Sequence, residues 1–150
     1  MTKAATQSGV KIRRVRNGDA ARLAALSGEL GYPATTAEMK ERLLRLKPAG
    51  QHAVFVAEHA GQAIGWIHVS VRPLLEVPLR GEINGLVVGE AHRSAGAGAL
   101  LLQAAEAWAR KKKCVGMSVR SNVIRERAHV FYERQGYEHY KTQKAFRKAL

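Results

Sequence analysis

The stretch GEAHRSAGAGA, residues 89–99, decides the fold because it joins a strand-like run to a helix-like one. The apolar run Glu82–Val88 precedes it, and the most regular amphipathic segment of the chain, Ala97–Lys112, follows it. A helix that starts in such a loop presents bare N–H groups at the positive end of its dipole, where phosphate groups bind. The two glycines at the helix start let a ligand approach the backbone closely, and Arg93 adds a positively charged fork.

Three nucleotide-binding patterns can be tested on this stretch. The dinucleotide pattern G-x-G-x-x-G fails because Leu101 stands where the third glycine is required. The P-loop fails because the chain has no Gly-Lys-Ser or Gly-Lys-Thr. What remains is R-x-x-G-x-G, residues 93–98, between a strand and a long helix.

Outward from this stretch, hydrophobic periodicity and turn residues predict the other elements. Strands are predicted at Val10–Arg16, Ala53–Glu58, Ile64–Val71, Glu82–Val88 and Cys114–Val119, with a final hairpin of Tyr137–Tyr140 and Lys144–Arg147. Helices are predicted at 20–30 after Asp19 as its cap, from the capping box 35–38, at 97–112, and from Ser121 or Asn122 to Gln135. The inward face of the long helix is predicted as Ala97, Leu100, Leu101, Ala104, Ala105 and Trp108.

The predicted order is β-α-α-β-β-β-α-β-α-β-β, a mixed α/β fold. In it a mostly antiparallel sheet of about seven strands carries helices on both faces. The parallel crossover through the long helix is expected to be right-handed. Gly61-Gln62 is expected to form a hairpin turn, and Gly85, inside its strand, is expected to mark a β-bulge.

Length and composition favour one globular domain. The chain has 150 residues, 46% hydrophobic and 25% charged, which favours a single domain at 11–150. The first ten residues are small and polar, which predicts a disordered tail at 1–10. The net charge of +13 excludes an acidic disordered chain and favours an anionic ligand. Cys114 is the single cysteine, so an internal disulfide framework is excluded, and we expect it to be a small core residue. Without a membrane-length apolar run or a secretory signal, a cytoplasmic protein is expected.

The sequence resembles the GNAT superfamily of acetyl-CoA-dependent N-acetyltransferases, whose pyrophosphate loop has the R-x-x-G-x-G pattern in this context. The segment AHVFYERQGY, residues 128–137, fits the family's A-x-x-F-Y-E-x-x-G-[FY] pattern at the right distance downstream. The ending FRKAL, residues 146–150, resembles the F-x-K-x-L ending of a bacterial subgroup. The resemblance covers nearly the whole domain, from about Lys11 to Leu150.

The resemblance implies acetyl-CoA as the cofactor. Loop N–H groups would hold its pyrophosphate, and the pantetheine arm would pair like an extra strand where two strands part. The backbone N–H of Leu86 or Val88 would bind the thioester oxygen. The polar residue that binds the pantetheine arm is Asn122 by similarity or Arg125 by the family's commoner spacing, and both stay open. The predicted cofactor-binding residues are Leu86, Val87, Val88, Arg93, Ser94, Ala95, Gly96, Ala97, Gly98, Ala99, Asn122, Arg125 and Tyr132.

The resemblance also implies two catalytic residues. Tyr132, the tyrosine of the Phe-Tyr pair, would protonate the departing thiolate. Glu82 would take a proton from the amine, directly or through water, although many members rely on water alone. In the alternative reading, Glu82 is an exposed edge carboxylate paired with Arg80. No metal site is predicted, because the six histidines show no metal-ligand spacing.

The implied activity is transfer of an acetyl group to a primary amine by direct attack in a ternary complex. The acceptor is expected to be a small-molecule or peptide amine that contacts Gly31–Thr36, and like charge disfavours a polycation unless glutamates make the pocket acidic. No specific nucleic acid or membrane partner is expected, and assembly as a homodimer is left open. The alternatives are a basic nucleic-acid or ribosome-associated module, or a transferase of another acyl-CoA on the same fold.

Overall fold

A computed structural model describes residues 9–47, 50–93 and 95–150 of the chain. These residues form two compact units, one that ends at Val119 and one that begins at Arg120. None of the helices in these ranges is long and apolar enough to cross a membrane.

The first unit is built on a mixed sheet of five strands in the order β1-β2-β3-β4-β5. The first three pairings are antiparallel, and β4 pairs with β5 in parallel. The strands are β1 (Val10–Arg14), β2 (His52–His59), β3 (Gln62–Arg72), β4 (Arg80–Val88) and β5 (Gly116–Val119).

Four α-helices accompany the strands in the described ranges. They are α1 (Ala20–Leu30), α2 (Thr36–Leu46), α3 (Ala97–Lys111) and α4 (Glu126–Arg134), of which α4 belongs to the second unit. The predicted capping box of α2 is confirmed: Thr35 Oγ1 accepts a hydrogen bond from the Glu38 N–H, and the Glu38 side chain accepts one from the Thr35 N–H.

The hairpin between β2 and β3 turns at Ala60-Gly61, one residue before the predicted Gly61-Gln62. Both turn residues have positive φ, 50° at Ala60 and 78° at Gly61. A two-residue turn of this kind matches the right-handed twist of the strands, which explains why a glycine stands there.

Helices cover the two faces of the sheet in the first unit. On one face Val54 and Val56 pack in a buried cluster with Leu23 of α1 and Met39 of α2. The opposite face meets α3, since a side chain at Gly81 would touch Ala109 at 3.0 Å. The helices α1 and α2 therefore lie on one face of the sheet and α3 on the other.

The predicted count of about seven strands is wrong, and so is the end of the predicted strand order. The sheet has five strands, and no described residue after Val119 lies in a strand. The segments predicted as a final hairpin bury no apolar face, because Tyr140 and Phe146 are 68% and 90% exposed. A hairpin without a buried face is only marginally stable in water. The short alternation of apolar and polar residues was therefore not enough to form these two strands.

Three local predictions also need correction. The buried stripe of α3 is Ala97, Leu101, Leu102, Ala105 and Ala109, so Leu100, Ala104 and Trp108 lie only on its flank. Asp19 is the N-cap residue of α1, but its side chain makes no cap hydrogen bond, because its carboxylate accepts hydrogen bonds from the Arg16 N–H and from Arg13 instead. Cys114 precedes β5 and is only partly buried, so it is not a core residue.

Candidate active site

The site is created by a disruption of the sheet in the middle of β4. His68 of β3 pairs with Gly85 and Val69 pairs with Ile83, so Asn84 is the extra residue of a β-bulge. The bulge was expected at Gly85, one residue later. On the other side, β4 pairs with β5 only from Arg80 to Ile83. The pairing of β4 with β5 therefore ends at the bulge, where β5 itself ends at Val119.

Beyond the bulge, β4 has an edge whose backbone groups are not paired with β5. The Gly89 N–H donates to the Ile64 carbonyl at 2.7 Å, which fixes the alternation of hydrogen-bonded pairs between β3 and β4. By that alternation the N–H groups of Leu86 and Val88 point away from β3, toward the edge of β4 that is not paired with β5. The backbone groups of Val87 point toward β3 instead. Its carbonyl oxygen lies 2.8 Å from the place where a Cβ of Gly65 would stand.

The loop after β4 is anchored at its start. Its short 3₁₀ turn, Glu90–His92, is held by α1, since the Glu90 N–H donates to Glu29 Oε1 at 2.9 Å. The α3 helix then begins at Ala97 with Gly96 as its N-cap. Gly96 has φ +84°, a conformation that glycine adopts at no steric cost. Ser94 lies outside the described residues, while Arg93, Ala95, Gly98 and Ala99 lie in the loop and the first helical turn as predicted.

Glu82 lies one residue before Ile83, the last residue of β4 that pairs with β5. It is only 5% exposed, so the alternative of an exposed edge carboxylate is wrong. Ser118 of β5 donates a hydrogen bond from Oγ to Glu82 Oε1 at 2.6 Å. Arg72 of β3 places Nη1 3.6 Å from the same oxygen. A carboxylate held in this way is fixed in position and can accept a proton from a group that binds beside it.

Polar residues continue across the same face of the sheet, and the sequence prediction missed them. Asn84 donates from Nδ2 to Ser70 Oγ at 2.8 Å. His52 Nδ1 and His68 Nε2 are hydrogen-bonded at 2.9 Å, and burial together with His52 lowers the pKa of His68 to about 4. The signal was present as polar residues at alternate positions of β3, but their cross-strand partners depend on register.

The second unit carries the predicted Tyr132 on α4. Its ring packs edge-on against Phe131 and Tyr137, with centroid distances of 5.2 and 5.7 Å. Burial raises the pKa of Tyr132 to about 12, against a smaller lowering by the charge of Arg125. The phenol therefore keeps its proton near neutral pH and can only donate it when a strong base forms nearby.

Asn122 and Arg125 both stand just before α4. Neither Ser121 nor Asn122 caps the helix, which begins after Arg125 as its N-cap residue. The Asn122 Oδ1 instead accepts a hydrogen bond from the Ile124 N–H, and the Asn122 carbonyl accepts one from His129 Nε2. The side-chain oxygen of Asn122 is thus engaged in a local turn. No group of three potential metal ligands occurs among the residues that the structure describes.

Comparison with known proteins identifies the class that this fold and site define. The model of the acetyltransferase (GNAT) family matches residues 21–137, which is most of the chain. The chain belongs to the acetyltransferase (GNAT) family. It is an N-acetyltransferase, and its cofactor is acetyl-CoA. No curated protein matched the sequence.

Solved structures support the fold at low sequence identity. The aminoglycoside 6'-N-acetyltransferase AAC(6')-Ih from Acinetobacter baumannii superposes with a TM-score of 0.83 at 18% identity, over 95% of this chain and 99% of that one. AAC(6')-Iy, solved with the bisubstrate analog CoA-S-monomethyl-acetylneamine, gives 0.83 at 19% identity, over 94% and 99%. Glucosamine-6-phosphate N-acetyltransferase from Arabidopsis thaliana gives 0.79 at 20% identity, over 92% and 97%.

Proposed function

We propose that this acetyltransferase moves the acetyl group of acetyl-CoA directly to a primary amine of a small molecule, in a ternary complex in the cytoplasm. The observation that carries the proposal is the end of the β4–β5 pairing at the bulge, with the buried Glu82 one residue before it. An unpaired strand edge between a glycine-rich helix start and a buried carboxylate can bind an acyl donor and an amine next to each other.

The residues of the first unit fit the cofactor. Positive φ at Gly96 and the start of α3 leave backbone N–H groups free of intrahelical acceptors, as a diphosphate requires. The extended backbone from Leu86 to Val88 offers N–H and C=O groups to an amide-rich arm along the edge that is not paired with β5. Acetyl-CoA supplies the acetyl thioester. The Leu86 or Val88 N–H would donate to its carbonyl oxygen, which becomes more negative during the reaction.

Glu82 would act on the acceptor as a general base. An amine attacks only when it is neutral, whereas most aliphatic amines are protonated near pH 7. A carboxylate held by Ser118 can accept that proton at a fixed position, directly or through one water molecule.

Tyr132 would act on the leaving group. Its raised pKa keeps the hydroxyl protonated, so it can donate a proton to the thiolate sulfur. Arg125 and Asn122 would assist by contacting the amide-rich arm, and the engaged Oδ1 of Asn122 favours Arg125 for this role.

The small-molecule acceptor is supported by the superposed structures. Those proteins are named for aminoglycosides and for glucosamine 6-phosphate, which are small amines. Their low identity to this chain leaves the acceptor to be found by experiment.

Calorimetry with coenzyme A, followed by an amine panel with acetyl-CoA and detection of free thiol, tests the proposal. We expect binding of coenzyme A and thiol release that depends on the amine. Tyr132→Phe should lower kcat with little change in coenzyme A affinity, whereas Tyr140→Phe, at an exposed ring, serves as the matched control. Absence of coenzyme A binding, combined with salt-dependent binding of DNA or RNA, would instead support the basic nucleic-acid module.

A further inference from the structure

Two arginines stand directly opposite each other on the sheet face that carries Glu82. Arg72 of β3 and Arg80 of β4 are register partners, as are Ser70 and Glu82 two residues further along. Because side chains alternate along a strand, Arg72, Arg80 and Glu82 project from the same face. Like charges placed opposite each other in this way destabilise a sheet unless an anion lies between them.

The charge at this place is only partly balanced by the contacts seen. Arg72 reaches Glu82 at 3.6 Å. Arg80 Nε is buried, and among the described residues it has no hydrogen-bond acceptor. An unsatisfied buried donor destabilises the folded chain, and more so when it is charged. A ligand that carries an anionic group can supply the missing acceptor.

The missing acceptor is not the diphosphate of the cofactor. Arg80 is the first residue of β4 and Val88 is its last. At about 3.3 Å per residue, the strand separates them by roughly 26 Å. The glycine-rich loop follows Val88, so the two arginines lie at the opposite end of β4.

We propose that Arg80, together with Arg72, binds an anionic group of the amine acceptor, so that the substrates are amines that also carry a carboxylate or a phosphate. The inference rests on the proposed function, because it takes Glu82 as the group beside which the amine is placed. Arg80 and Glu82 are two residues apart, which is about 6.6 Å along a strand. That spacing favours a compact acceptor, with the anionic group only a few bonds from the amine.

The chemistry of the arginine side chain suits this role. A guanidinium offers planar paired donors that match the oxygens of a carboxylate or a phosphate. The net charge of +13 also favours the approach of an anionic substrate over a polycation. Glu82 would receive the ammonium end and the two arginines the anionic end, so one face of the sheet would bind both ends of a zwitterion.

Matched pairs of amines test the proposal. The carboxylate pair is β-alanine and its amide, and the phosphate pair is phosphoethanolamine and ethanolamine, with rates compared at equal concentrations of the unprotonated amine. We expect kcat/KM to be at least about tenfold higher for an anionic member, as expected for one charge-assisted contact. The pair with the larger ratio identifies whether carboxylate or phosphate is the preferred group.

Variants assign the preference to the arginine. Arg80→Gln should remove most of the ratio and Arg80→Lys should keep part of it. Arg45→Gln makes the same charge change on α2, at an exposed side chain, and should leave the ratio unaltered. A ratio near one in the wild type, or a ratio that survives Arg80→Gln, would overturn the proposal.

A measurement on the unaltered protein covers the case in which Arg80→Gln does not fold. Inorganic phosphate should inhibit competitively against the amine and not against acetyl-CoA, at ionic strength matched with chloride. Competition only against acetyl-CoA would contradict the inference. Thiol release with neutral amines but no anion preference would defeat this inference alone, whereas no thiol release with any amine would defeat the proposed function.

Discussion

Two ionic clusters on the same sheet are opposite in composition. In the first, Arg13 is surrounded by two carboxylates: its Nη1 and Nη2 donate to Asp19 at 2.8 Å each, and its Nε donates to Glu58 at 2.7 Å. In the second, Arg72 and Arg80 flank a single carboxylate, Glu82, and the buried Nε of Arg80 has no acceptor among the described residues.

From this difference we infer that the first cluster is structural, and we propose that the second is functional. The guanidinium of Arg13 lowers the pKa values of Asp19 and Glu58, which stay ionised around it. Asp19 also accepts a hydrogen bond from the Arg16 N–H, so this cluster joins β1 to the start of α1. Its charged groups are satisfied by one another and need no ligand. The second cluster is incomplete by one acceptor. Changes in the first should therefore affect the stability of the fold, and changes in the second should affect the reaction.

Glu82→Gln should give the largest effect on the reaction. Loss of a general base lowers kcat by about 100-fold or more. The loss should be greatest at low pH, where the amine is protonated, and should shrink as pH rises and the free amine accumulates. The measurement is the pH dependence of kcat for the wild type and the variant. An unaltered profile would assign proton removal to water and would remove the contrast between the clusters.

Asp19→Asn should give the largest effect on stability. It leaves Arg13 with one carboxylate fewer in a mostly buried place, and breaking a buried pair in this way costs about 3 kcal/mol. Urea unfolding measures the loss, and kcat/KM below the transition should be unchanged. The control is Glu41→Gln in the exposed Glu41–Arg45 pair, where about 0.5 kcal/mol is expected. Equal effects of the two variants would deny that the Arg13 cluster is structural.

His68 should make the fold less stable in mild acid. Its pKa is about 4 in the folded chain against 6.5 as the ordinary value, so the unfolded chain binds more protons between these two values. The free energy of unfolding therefore falls as pH decreases from about 6.5 toward 4, by about 2 kcal/mol between pH 7 and pH 5. His68→Gln should reduce this slope, whereas His139→Gln, at an exposed side chain, should not. A slope unaffected by His68→Gln would assign it to other groups.

The sequence predicted those features that depend on neighbours along the chain. The glycine-rich turn, the capping box of α2 and, to within one residue, the bulge of β4 follow from short patterns around Gly96, Thr35 and Gly85. The Arg72–Arg80 pairing and the His52–His68 contact could not be predicted, because they require the register of strands far apart in sequence. The final hairpin was predicted wrongly because alternation does not reveal whether a face will be buried.

Ser118→Ala should give the smallest effect and tests how the second cluster is held. Its hydroxyl donates to Glu82 at 2.6 Å, and one such hydrogen bond is worth about 1 kcal/mol, or roughly fivefold in rate. As a positioning residue, Ser118 should change kcat but not the affinity for coenzyme A, and the midpoint of urea unfolding should fall by no more than the loss of this one hydrogen bond explains. Ser118→Thr keeps the hydroxyl and should restore most of the rate. If the threonine variant is as slow as the alanine variant, shape at β5 rather than the hydrogen bond orients Glu82, and the two clusters differ less than their contacts suggest.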